Sequence, residues 1–170
     1  MSWLHPIIWV LIKINSKGPV IFKHTRDGLN YESFECYKYR SLYMDRLDQD
    51  YVKKNDSRVT KVGKFLRKTS LDELPQFFNV LKGDMSVVGP RPHMIKYTSK
   101  YSKKIDKYDF TFRHNVKPGI TGLAQISGFR GEIKSDIDIV NRIKYDIFYI
   151  ENWSLFFDLK IIFMTVLYAY

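Results

Sequence analysis

The chain has 170 residues, enough for one domain whose core needs no covalent staples. Apolar residues make up 45% and exclude a disordered tail, while a single cysteine, Cys36, excludes an intrachain disulfide and a cysteine-rich zinc site and fits a reducing, cytosol-facing location. The net charge is +10, and two stretches supply it: residues 53–68 carry seven cations against Asp56, and residues 96–117 carry seven against Asp106 and Asp109. Such a surplus points to an anionic partner, whether phosphorylated substrate, lipid headgroups or nucleic acid.

In chain order, residues 3–14 read as a short apolar helix with Pro6 near its start and Gly18-Pro19 as its stop. As a helix this stretch spans ~18 Å, against a hydrocarbon core of ~30 Å. It is expected to lie in one leaflet rather than to cross, and it lacks the flanks of a signal peptide. Residues 20–23 and 34–39 read as short strands joined by a turn around Asp27-Gly28 and Asn30. Residues 43–57 are polar and read as loop or frayed helix, and 59–66 carry Val59, Val62, Phe65 and Leu66 at helical spacing. Residues 71–81 predict a helix with Leu71, Leu74, Phe77, Phe78 and Leu81 on its buried face. Ser70 and Glu73 match a capping box. Pro75 disagrees with that start and favours a cap at Asp72; either start leaves Asp72 and Glu73 at a helix N-terminus. Residues 85–93 and 116–131 hold most of the Gly and Pro and read as shaped loops. Helices are expected over 95–107, 136–150 and 154–168, with Val140, Ile143, Ile147 and Ile150 as the stripe of the second. The sum is an α+β chain, mainly helical with a small sheet, and one domain over 1–170. The uncharged residues 161–170 are again too short to span a bilayer.

Asp72-Glu73 is the sharpest chemical feature. Carboxylates at a helix start are stabilised by free N–H groups and the dipole, and the same groups bind phosphate. Two adjacent acids with Arg67 and Lys68 just upstream suit a divalent cation and a polyphosphate, with one acid free to attack phosphorus. The competing reading is that both acids merely cap a helix. Gly89-Pro90-Arg91-Pro92 offers a rigid loop that presents Arg91, or an ordinary turn with a solvated arginine. The glycines of Lys117-Pro118-Gly119-Ile120-Thr121-Gly122 allow a ligand to approach the backbone, or form two successive turns. Lys38, Arg40 and Arg113 are candidate anion contacts. His5, His24, His93 and His114 lack metal-ligand spacing and read as structural or solvent-facing. Tyr and Phe interleave the basic stretches as in single-strand binders, but no RNA- or DNA-binding module accompanies them, so nucleic acid is not the expected partner.

Taken together, Thr25-Arg26-Asp27-Gly28, Tyr37-Lys38-Tyr39-Arg40-Ser41, residues 58–67, 71–76, 83–92 and 117–125, and the tail with Asn152-Trp153-Ser154-Leu155 resemble the bacterial sugar transferase family, monotopic polyprenol-phosphate phosphoglycosyl transferases. The resemblance covers nearly the whole chain, in order. It implies transfer of a sugar 1-phosphate from a UDP-sugar to undecaprenyl phosphate with release of UMP, by a ping-pong scheme through an aspartyl phosphosugar. In that scheme Asp72 is the nucleophile, Glu73 ligates Mg²⁺, and Arg67 and Arg91 hold phosphate; Lys38, Arg40, Arg113 and Arg130 are expected around the anion. The Ser127-Gly128-Phe129-Arg130-Gly131-Glu132 stretch resembles the branch that transfers glucose 1-phosphate in exopolysaccharide or capsule synthesis. The family implies the cytoplasmic face of the inner membrane, entered through a re-entrant helix bent at a Ser-Pro break. Leu4-His5-Pro6 stands near that break, so residues 1–15 are expected to be a truncated remnant of that helix. The alternative is a non-catalytic remnant that docks peripherally on anionic membrane.

Overall fold

The computed structural model describes residues 3–46, 52, 55–93, 107–130 and 135–168. Helix α1 (Leu4–Asn15) precedes an antiparallel hairpin of β1 (Ile21–Asp27) and β2 (Ser33–Tyr39), in register from Ile21 opposite Tyr39 to Asp27 opposite Ser33. Helix α2 (Lys61–Lys68) follows, capped by the Thr60 hydroxyl accepting from Gly63 N–H at 2.8 Å. A 3₁₀ turn over Leu71–Glu73 leads into α3 (Gln76–Lys82). Strands β3 (Ser86–Val88) and β4 (Gly119–Thr121) pair in parallel, and α4 (Lys107–Phe112) lies between them in sequence. Short α5 (Leu123–Ile126), then α6 (Asp136–Glu151) and α7 (Leu155–Tyr168), complete the described chain.

The expected α+β class holds, as do the terminal helices and the hairpin, though β1 runs to Asp27 rather than stopping at Lys23. A second small sheet replaces part of what reads as loop over 85–93 and 116–131. The helix expected over 95–107 lies outside the described residues, apart from its last position at the start of α4. The helix expected over 71–81 is divided at Pro75, which stands before α3 where its missing N–H costs nothing. Ser70 makes no cap; it is left-handed at φ 58°, so the capping-box expectation fails and the acids sit in the 3₁₀ turn rather than at the start of α3. The glycines of 117–122 serve the second sheet: a side chain at Gly119 or Gly122 would collide with the backbone of Gly89. Their close approach is to the chain itself.

Among the described residues, three apolar clusters hold these elements. Ile8 and Ile12 of α1 pack with Val20, Tyr39 and Leu66, with Leu71 and Leu74 against them. Phe110 packs on Ile139 and Ile143 of α6, and Val88, Tyr149 and Ile161 join β3 to α6 and α7. Each such isoleucine contributes about 1.5–3 kcal/mol on burial. The connection between α6 and α7 is fixed by Asp158, which accepts from Tyr149 Oη at 2.8 Å and from Trp153 Nε1 at 3.2 Å.

Helix α3 inverts the amphipathic expectation. Phe77, Phe78 and Leu81 are exposed, Leu81 by 83%, while Gln76 and Asn79 are buried, Asn79 completely. The polar face wins through Asn79, whose amide is fully used. Asn79 Oδ1 accepts from Tyr37 N–H at 3.0 Å, and its Nδ2 donates to Glu35 O at 2.7 Å and to Asp84 Oδ2 at 3.0 Å. One amide side chain thus binds the free edge of β2 as a neighbouring strand would. Replacing Asn79 with Ala removes three part-buried hydrogen bonds and should lower the unfolding free energy by about 2 kcal/mol. Urea denaturation checks this; an unchanged midpoint would show that the amide bridge carries no weight.

Candidate active site

The site forms where three segments meet: the 3₁₀ turn carrying Asp72 and Glu73, strand β2 carrying Lys38, and the Gly89–His93 segment carrying Arg91. The two-residue repeat of β2 puts Cys36 and Lys38 on one face. Lys38 Nζ reaches Glu73 Oε1 at 2.6 Å, and Arg91 Nη2 reaches the same oxygen at 2.6 Å. Arg91 Nη1 stands 3.4 Å and Arg130 Nη2 3.8 Å from Glu73 Oε2. Both acids are buried. Burial by itself would raise the Glu73 carboxyl, but Arg91 and Lys38 outweigh it and hold the group well below the usual range. Asp72 makes no hydrogen bond or ion pair with any described residue. Burial raises its carboxyl, the Glu73 charge adds to that, and Lys38, Arg67 and Arg91 pull against it. Adjacent acids are thereby pushed apart in character, one clamped by cations and the other holding free lone pairs.

The turn that presents them is strained. Ser70, left-handed without being glycine, stores about 1–3 kcal/mol. Arg130 holds it by donating from Nη2 to Ser70 Oγ at 2.7 Å.

The arginine opposite is held from behind. Arg113 is 2% exposed and pairs with Asp146 Oδ2 at 2.9 Å from Nη2 and 3.1 Å from Nε. The same Nη2 donates to Arg91 O at 2.9 Å, and Nη1 stands 3.3 Å from His93 Nδ1. Asp27 N–H donates to His93 O at 3.4 Å, and Arg26 Nη1 to Pro92 O at 3.4 Å. The backbone that carries Arg91 is therefore pinned by the hairpin on one side and, on the other, by Arg113 just past α4, itself held by Asp146 of α6. His24 and His114 are kept neutral by burial, at about 2 and about 4, so neither adds charge to the site near neutral pH.

Of the residues expected around an anion, Lys38, Arg91 and Arg130 converge on Glu73, and Arg67 lies on α2 close enough to act on Asp72. Arg40 and Arg113 do not join them. Arg40 is buried against α1, where Nη2 donates to Ser16 O at 2.6 Å and Ile12 O at 3.5 Å, closing the C-terminal end of that helix. Arg113 is spent on Asp146 and on the Arg91 backbone. Asn79 and Asp146, which sequence reasoning passed over, and Ser70, which it read only as a helix cap, hold the site's parts in place.

Among the described residues no three His, Cys, Asp or Glu gather as a metal cage. The donor set still fits Mg²⁺, which is held by one or two carboxylates together with substrate phosphates. Asp72 is unpartnered, and Glu73 Oε2 has only the long contacts at 3.4 and 3.8 Å.

The chain belongs to the bacterial sugar transferase family, whose model matches residues 1–170. Among its relatives, it is 53% identical over 168 residues to the UDP-glucose:undecaprenyl-phosphate glucose-1-phosphate transferase of Klebsiella pneumoniae, covering 96% of this chain and 36% of that protein. It is 49% identical over 161 residues to the protein of the same name from Escherichia coli K12, covering 94% and 34%. It is 42% identical over 165 residues to the undecaprenyl-phosphate galactose phosphotransferase of Salmonella typhimurium, covering 87% and 33%. The chain thus spans about a third of the length of these relatives.

The split between the two acids has consequences for stability. Glu73 titrates below its ordinary value of 4.5, so its charge stabilises the fold above that pH and the contribution fades as pH falls further. Asp72 titrates above its ordinary value, so its charge at neutral pH works against folding. Thermal unfolding at pH 7 should place Asp72→Asn above the parent chain. Glu73→Gln should fall below it, by about 2 kcal/mol for the lost charged hydrogen bonds. Shifts of the same sign in both variants would contradict the assignment.

Proposed function

We propose that this chain transfers a sugar 1-phosphate, with glucose as the sugar, from a UDP-sugar to undecaprenyl phosphate at the cytoplasmic face of the inner membrane, as an early step in exopolysaccharide synthesis. The observation that carries the reading is the unpartnered Asp72 carboxylate set beside a charge-clamped Glu73 and a half-ring of cations. A carboxylate that has shed water and gained no hydrogen bond keeps its lone pairs for attack. Glu73, with two cations on one oxygen, is the poorer nucleophile and the better scaffold.

Asp72 attacks the β-phosphorus, the bond to UMP breaks, and UMP departs with the electron pair, leaving an aspartyl phosphosugar. An oxygen of the lipid phosphate then attacks the same phosphorus and displaces the Asp72 carboxylate, which yields the lipid diphosphate sugar. Arg91 and Lys38, fixed by Glu73, and Arg67 supply positive charge at the transferring phosphoryl oxygens. Their positions are set before substrate arrives, so little reorganisation is needed. Mg²⁺ held by Glu73, when bound, adds charge neutralisation at phosphate.

The names of the relatives motivate both substrates and favour glucose. No described helix is long and apolar enough to cross a membrane. Large apolar side chains are nonetheless exposed along α1 (Ile7, Trp9, Val10, Leu11, Ile14), α3 and α7 (Leu155, Phe156, Leu159, Phe163). So much exposed apolar surface marks an interaction face, and lipid chains suit it.

With UDP-glucose alone, the chain should gain the mass of glucose 1-phosphate on the peptide containing Asp72. Asp72→Asn should gain none and lose turnover by at least 10³-fold. Chelation of divalent cations should reduce the rate, and added Mg²⁺ should restore it. Adduct on another residue, or full turnover by Asp72→Asn, would overturn the scheme. No product from the parent chain under any of these conditions would favour non-catalytic peripheral docking on anionic membrane instead.

A further inference from the structure

Beside the acids lies a cavity of about 320 Å³ that the reaction as described does not use. Its polar end is formed by Ser70, Glu73 and Arg130; its walls are mostly apolar and include Leu74, Ile162 and Val166. We infer that this cavity holds the first isoprene units of the prenyl phosphate acceptor, with the phosphate at the Arg130 end. The inference rests on the proposed reaction and assigns a place to its second substrate.

Three observations favour a prenyl chain. First, the polar groups in the wall are largely spent on one another. Thr121 and Thr165 share a hydrogen bond of 2.6 Å, Thr165 Oγ1 also donates to Ile161 O at 2.7 Å, and Gln125 Nε2 donates to Ile120 O at 3.0 Å. A sugar or nucleoside seated there would leave most of its own polar groups unpaired, whereas a hydrocarbon needs none. Second, the charge is in the right place. The Arg130 guanidinium is 39% exposed and sits at the end of the cavity nearest Glu73, whose own charge is already offset by Lys38 and Arg91. An anion drawn to Arg130 lies next to the acids while its apolar tail follows the walls. Third, α7 has two apolar sides. Ile162 and Val166 line the cavity, while Leu159, Phe163 and Leu167 of the same helix are exposed. A chain rising from an apolar surface along α7 meets apolar contacts without a break. The volume sits at the low end for small-molecule pockets, ~300–1,000 Å³; it takes the start of a polyprenyl chain and leaves the remainder outside.

Gln125 Oε1, buried and without a partner, is the wall atom that a uridine N–H would seek. The experiment therefore carries a uridine arm. The 170-residue chain in detergent micelles is photolabelled with a prenyl phosphate bearing a diazirine on its first isoprene unit, and the labelled peptides are mapped. Labelling should fall on residues 162–166 and around Ile126, and excess undecaprenyl phosphate should suppress it at least fivefold. Phosphatidylglycerol or uridine at the same concentration should not. Val166→Trp, at an exposed edge of the cavity, should cut labelling at least fivefold, and Ile162→Trp serves should that variant misfold. Labelling only elsewhere, no labelling, or equal suppression by the phospholipid or by uridine overturns the inference. Transfer from UDP-glucose is measured on the same preparation. Active transfer without cavity labelling sinks the cavity assignment alone; cavity labelling without transfer sinks the reaction and leaves the prenyl phosphate site standing.

Discussion

A single buried carboxylate organises this molecule. Glu73 Oε1 takes two cations at 2.6 Å, one from the hairpin and one from the segment after β3. The hairpin and the segment after β3 come from distant parts of the sequence, and among the described residues no apolar cluster joins β2 to β3. Removing both cations would leave a charge inside the protein without compensation, which costs far more than the ion pairs contribute when intact. The ion pair therefore does less for stability than for position. It fixes where Lys38 and Arg91 stand, and so fixes the field that Asp72 experiences.

Positioning of this kind depends on the layer behind it. Asn79 holds β2 by hydrogen bonds normally made by a strand, which places Lys38. Arg113 and Asp146 hold the carbonyl of Arg91 from the opposite side. Arg130 restrains the left-handed Ser70 that aims both acids. Strain at Ser70, burial of the Asp72 carboxyl and the outward apolar face of α3 are each unfavourable for an isolated soluble fold. All three lie in or beside the site, where local rules are broken for function.

The two acids of the site were more legible in the sequence than the architecture around them. Asp72-Glu73 stood out because two adjacent acids next to Arg67 and Pro75 form a local pattern, and local patterns survive folding. Arg40 and Arg113 looked equivalent to Lys38, since an isolated cation carries no record of the distant group that will pair with it. Ser16 O and Asp146 decide those roles, and both are remote in sequence from the arginines they bind. Helix α3 misled for a different reason. Apolar periodicity says which face differs from the other, and the usual rule that the apolar face is buried fails where the polar face meets an unpaired strand edge and the phenylalanines face outward. The β3–β4 sheet was hidden because strands of three residues, broken by Gly89 and Gly119, give no alternating signal.

The central claim is that neighbouring acids have been driven to opposite behaviour, Glu73 kept anionic by cations and Asp72 left with free lone pairs by burial. Carboxyl ¹³C NMR titration of Asp- and Glu-labelled protein, assigned through the two single substitutions, tests it most directly. Asp72 should titrate above the ordinary aspartate value of 3.8, and Glu73 well below the ordinary glutamate value of 4.5. Titration of both at their ordinary values, or Glu73 above Asp72, would contradict the account.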